Sequence, residues 1–141
     1  MSKKTLGLPD SQFNGMLLGL ATQVKEYQLC WHLNKTLNFK LERGDDVEIV
    51  NKKKCKTSVF SFFRYEDDLD KKTTYLVSNK HFGEFLIPEV KQADYLLLII
   101  SELTLFKEEN IVQQLKDIPI LQLVIILEYS KLKSRHNLIF E

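Results

Sequence analysis

The sequence predicts an α+β fold: a single, mostly antiparallel β-sheet of about six strands, ordered β-α-β-β-β-β-α-β, with two helices packed on one face. Three observations predict it. Runs rich in aromatic and β-branched residues, such as 58–65 and 75–79, alternate with turn residues through the middle of the chain. Two stretches, one after Thr22 and one over 108–116, carry apolar residues at helical spacing. The 141 residues, 44% hydrophobic and 28% charged, suit one globular domain. A chain of about 150 residues buries roughly 68–70% of the surface its unfolded form exposes, enough for a core without staples.

Residues 1–12, with Lys3, Lys4, Gly7, Pro9 and Asp10, read as a flexible leader to a single domain over 13–141. Residues 13–21 form the first strand, because Gly15 and Gly19 would each weaken a helix by about 1 kcal/mol relative to alanine. Their GxxxG spacing is a membrane-pairing motif only inside a long apolar helix, and polar residues flank this one. A helix follows from Thr22, with Val24, Tyr27, Trp31 and Asn34 on one face beside Cys30, Leu33 and Leu37. Gly44 marks a turn, 47–50 a short strand, and Asn51-Lys52-Lys53-Lys54 a polar connection. Strands at 58–65 and 75–79 flank a charged loop over 66–72, and 85–87 forms a short edge after Gly83. Pro88 fits the first position of a helical turn, whose positive end favours Glu89. Residues 93–100 give the next strand. The second helix, 108–116, turns Ile111 and Leu115 inward and stops before Pro119. The last strand is 120–127, followed by a tail that is basic and then apolar.

Strands 95–100 and 120–127 are apolar at almost every position, whereas a sheet with one wet face shows alternation. Two helices cover one face only. The tail, sheet curvature or another chain is expected to cover the other. A homodimer or a stable protein partner on that face is the expectation, and with it a non-enzymatic binding or adaptor role.

Charge and motifs narrow the chemistry. Twenty Lys and Arg oppose nineteen Asp and Glu, without the basic excess usual in a nucleic-acid binder. Two cysteines, Cys30 and Cys55, make no disulfide framework. Cys30 and His32 stand two apart on a helix and point to different sides, so no metal site is expected. No Gly-rich phosphate loop and no Gly-x-Ser-x-Gly appears. Glu89 and Asp94 bracket a turn and are a candidate acid–base pair, but stabilising the turn and pairing with a base is the stronger reading. No cofactor or catalytic residue is expected.

Two basic segments support an alternative, association with RNA or DNA: Lys52, Lys53, Lys54 and Lys56 at a hairpin tip, and Lys131, Lys133, Arg135 and His136 in the tail. Trp31, Tyr65 or Tyr75 would supply stacking. Arg43-Gly44-Asp45 reads as a turn. No apolar run reaches the 18 or more residues of a spanning helix and the start lacks a signal-peptide core, so a cytoplasmic setting is expected.

The phrase Ile87-Pro88-Glu89-x3-Ala93-Asp94-Tyr95 resembles the signature for which the IPExxxVDY family of Bacteroidetes proteins is named, with Ala93 in place of valine. Glu26-Tyr27-x-Leu29-Cys30-Trp31, Ser78-Asn79-Lys80, Leu132-Lys133-Ser134 and Asn137-Leu138-Ile139-Phe140 are similar to that family too. The resemblance implies a small cytoplasmic bacterial protein and brings no activity and no catalytic residues. It singles out Pro88, Glu89, Asp94, Tyr95, Trp31, Asn79 and Lys80 for a structural or interaction role.

Overall fold

The structure is a computed structural model that describes residues 15–68, 72–101 and 108–138. The expected leader over 1–12 lies outside the described residues. In chain order the elements are β1 (Gly15–Ala21), α1 (Glu26–Leu37), β2 (Glu42–Arg43), β3 (Val47–Asn51), β4 (Lys56–Phe60), β5 (Phe62–Asp67), β6 (Lys72–Ser78), β7 (Lys80–His81), β8 (Glu84–Phe85), β9 (Tyr95–Ser101), α2 (Glu108–Lys116) and β10 (Leu123–Leu127). Six strands make one sheet in the order β10-β1-β9-β6-β5-β2, with every neighbouring pair antiparallel. β3–β4 and β7–β8 are separate two-stranded hairpins. This is the α+β architecture that the sequence predicts.

Strand period divides the apolar residues between two cores. On one face Leu18, Leu20, Leu76, Leu97 and Ile99 pack with Leu29, Cys30 and Leu33 of α1 and Leu115 of α2. Both helices therefore lie on the same side. On the other face Leu17, Phe62, Val77, Leu96 and Leu98 are covered by the chain itself. Phe60 of the β3–β4 hairpin, Leu86, Ile87 and Val90, and Tyr129, Leu132 and Leu138 of the tail form that second roof. Of the three covers the sequence leaves open, the tail is the one present, and the β3–β4 hairpin and the segment 86–90 join it. The inference that this face needs a second chain is corrected: Leu17, Leu96 and Leu98 are each 1% exposed or less without one.

Gly15 and Gly19 sit in β1, between β9 and β10, where neighbours come close. A Cβ on Gly15 would lie 2.3 Å from the Ile99 carbonyl oxygen, and one on Gly19 would meet Ile125 and Ala93. Packing in a sheet, not a helix pair, explains their spacing.

Four local expectations shift. The run 58–65 is two strands, because the chain leaves the roof at Ser61 and enters the sheet as β5. The charged loop at 66–72 is shorter, since β5 and β6 pair out to Asp67↔Lys72. Helix α1 begins at Glu26 rather than Thr22, whose N–H donates to Asp94 and whose hydroxyl donates to the Ile120 carbonyl. The last strand begins at Leu123, because Ile118–Ile120 form a turn closed by Leu121 N–H to Ile118 O.

Candidate functional site

The irregular segment 86–93 buries Leu86, Ile87, Val90 and Ala93, so the backbone polar groups beside them need partners within the fold. Asn79, fully buried between β6 and β7, supplies them. Its side-chain oxygen accepts from Ile87 N–H at 2.7 Å, and its amide donates to the carbonyls of Val90 at 2.9 Å and Ala93 at 3.0 Å. Its own N–H donates to the Asp94 carbonyl, and its carbonyl accepts from Leu86 N–H. One side chain thereby fixes the path that carries Leu86, Ile87 and Val90 into the core.

The other residues of the phrase fasten that segment to its surroundings. Pro88 opens a 3-10 turn, Pro88–Val90, at the position where its missing N–H costs nothing. The Glu89 carboxylate accepts from Ser134 N–H at 2.7 Å, and Asn137 donates to the Leu86 carbonyl at 2.7 Å. These bonds hold the tail against the turn. Asp94 uses one oxygen for Thr22 N–H at 2.9 Å and the other for Lys80 Nζ at 2.5 Å. Both carboxylates proposed as an acid–base pair are thus engaged with backbone amides in two different joints.

Burial tends to raise the Glu89 carboxyl, but hydrogen bonds from Ser134, from its own N–H and from the Lys133 backbone outweigh it and hold it below the usual range. A carboxylate lowered on folding stabilises above the unfolded pKa, and that contribution is lost as pH falls through the folded value. The tail is therefore expected to loosen below about pH 4. Protection of the Ser134 amide, relative to its intrinsic exchange rate at each pH, should fall there, and Glu89→Gln should bring the same loosening to neutral pH. Unchanged protection at Ser134 in Glu89→Gln would show that the carboxylate does not hold the tail.

Tyr95 faces the helix-side core half-buried, its hydroxyl pushed up to about 12 by burial, with Glu26, Asp94 and Cys30 adding to the effect. Burial, reinforced by Glu26 and opposed by Arg43, likewise pushes the Cys30 thiol up to about 12. Cys30 is a core residue held as the thiol. Among the described residues no group of His, Cys, Asp and Glu side chains is placed to hold a metal.

The surface of α1 differs from expectation. Its buried side is Leu29, Cys30 and Leu33, and Tyr27 and Trp31 point outward, 65% and 57% exposed. Spacing alone misleads here because Leu29 and Leu33 define a second stripe about 160° around the same helix. Trp31 meets His32 edge-on at 4.9 Å, and Lys35 Nζ stands 4.8 Å from the ring centre. Val24, Tyr27, Gln28, Trp31, His32 and Ile120 line an open, mostly apolar groove of about 430 Å³.

The two basic segments belong to one layer, the roof on the sheet face opposite α1. Lys54 pairs with Glu84 at 3.5 Å and Lys131 with Glu128 at 3.2 Å. Arg135 donates to the Leu132 carbonyl at 2.8 Å. Lys52, Lys53, Lys56 and Lys133 are exposed and form no ion pair among the described residues. The aromatic partners proposed for them lie elsewhere. Trp31 is on the helix side, Tyr65 packs against the helix-side core, and Tyr75 stacks on Phe62. Phe82, 94% exposed, stands instead at the tip of β7–β8, and the Lys54–Glu84 pair joins that hairpin to the lysine-bearing tip of β3–β4. Phe82 and Gly83 carry φ of 45° and 82°, the paired positive values of a type I′ turn. The sequence hint was Gly83 just after an aromatic residue, where Asn or Asp is usual.

No helix of the described residues is long and apolar enough to cross a membrane. No family model, no curated protein and no solved structure matches the chain.

Proposed function

We propose that the protein is a non-enzymatic binding module that contacts another protein through the α1 surface centred on Tyr27 and Trp31. One observation carries this reading: two large aromatic side chains, adjacent at i and i+4, stand open beside an apolar groove rather than in the core. Tyr and Trp are the residues on which binding energy concentrates, because they offer wide rigid area at little entropic cost. Free Cys30 and Cys55 suit a reducing, cytoplasmic setting, and the phrase around Pro88 and Asp94 supports kinship with the IPExxxVDY proteins. In a pull-down from the source organism, the intact chain should retain a specific protein that Tyr27→Ala/Trp31→Ala loses. Because both side chains are largely exposed, the double variant should unfold within about 1 kcal/mol of the parent. The chain has one tryptophan, so binding should also shift its fluorescence. Retention of every partner by the double variant would refute the reading.

A second reading, nucleic-acid association, rests on the meeting of the Phe82 tip with Lys52, Lys53 and Lys56. Affinity for single-stranded RNA would fall steeply with salt, and Lys53→Glu and Phe82→Ala would each weaken it. Absence of binding at low salt would end it.

A further inference from the structure

The two edges of the six-stranded sheet are built differently. One edge, β2, is two residues long and reads Glu42-Arg43, short and charged as protected edges are. The other, β10, reads Leu123-Val124-Ile125-Ile126-Leu127, with no charge, proline or glycine. Among the described residues it pairs only with β1. Ile126 is 54% exposed. Such an edge offers a row of backbone donors and acceptors to another strand.

We propose that β10 pairs antiparallel with β10 of a second copy of this chain, joining two sheets into one. The occupant follows from the order of the residues. With Ile125 on the twofold axis, Leu123 lies opposite Leu127, Val124 opposite Ile126, and Ile125 opposite itself. Every cross-strand pair is apolar and of matched size. Just outside them Gln122 lies opposite Glu128, an amide donor facing a carboxylate. The faces agree as well. Ile125 and Leu127 belong to the tail-side core and Val124 to the helix-side core, and the same parity places Ile126 on the helix side. Antiparallel pairing about Ile125 therefore continues each face onto its own kind, with α2 of one copy brought beside α2 of the other. Slipping the register by one residue would put the faces of the cross-strand pairs out of step. An isologous contact of this kind closes at two chains. The proposal is independent of the Tyr27–Trp31 surface.

Size-exclusion chromatography with light scattering on the full chain tests it. The intact chain and Trp31→Ala should be dimers. Ile126→Lys should be a folded monomer, its dimer weakened about a hundredfold or more, since two buried isoleucines are lost per dimer. Gln122→Cys/Glu128→Cys, with Cys55→Ser, should form a covalent dimer on mild oxidation. The two new cysteines sit about 20 Å apart within one chain and cannot join internally. A monomeric intact chain would overturn the proposal. So would a dimer that survives Ile126→Lys but not Trp31→Ala, or a cysteine variant that stays uncrosslinked. A chain that dimerises only after residues 1–12 are removed would assign the edge to the leader and equally overturn it.

Discussion

Asn79→Ala is expected to cost about 3 kcal/mol, the net effect of leaving Ile87 N–H and the Ala93 carbonyl buried without partners and the Val90 carbonyl with only the Ala93 N–H. In a domain of this size that corresponds to a melting temperature lower by roughly 10 °C. The loss exceeds that of an ordinary polar substitution because the residue makes its bonds in a place water does not reach. Asn79→Asp should be no better, since it keeps the acceptor for Ile87 but turns a carboxylate oxygen toward two carbonyls. Thermal unfolding followed by circular dichroism reads both. A shift of only one or two degrees in Asn79→Ala would mean that segment 86–93 holds its path without this side chain.

A still larger effect is expected from removing the tail after Glu128. Tyr129, Leu132 and Leu138 are buried against the sheet face that carries Leu17, Leu96 and Leu98. Burying a large apolar side chain is worth about 1.5–3 kcal/mol, so three together approach the whole stability of a typical domain. The shortened chain should therefore lack a cooperative transition, bind an apolar dye strongly and self-associate. Leu132→Ala is the gentler version, expected to cost about 2–5 kcal/mol and to leave a folded protein. A truncated chain that melts cooperatively near the parent temperature would show that the β3–β4 hairpin and the segment 86–90 alone cover the face.

Much of the architecture is legible in the sequence, because strand period, turn residues and the Pro119 stop are local signals. The bounds of α2 follow from its stripe and its proline. What local signals miss is decided by distant partners. Thr22 has the chemistry of a helix cap, yet Asp94 and Ile120 occupy its polar groups, so α1 starts later. Ser58–Tyr65 has unbroken β propensity, and only tertiary pairing reveals that it serves two layers. The phrase around Pro88 was visible as a motif and its turn chemistry could be foreseen. Its role as the clasp of the tail depends on Asn79 and Ser134, which no spacing rule connects to it. Tyr27 and Trp31 had the right period for a core face and lie outside it. Only the competing Leu29–Leu33 stripe separates the two readings, and composition does not rank them.

One chain closes both faces of its own sheet, and contact with partners is proposed for the α1 surface and the β10 edge. Chemical unfolding of Ile126→Lys over two orders of magnitude of protein concentration tests it most directly. A single cooperative transition is expected, with a midpoint that does not move with concentration. A midpoint that climbs as the chain is concentrated would mean that a folded monomer does not exist and that a second chain supplies part of the core.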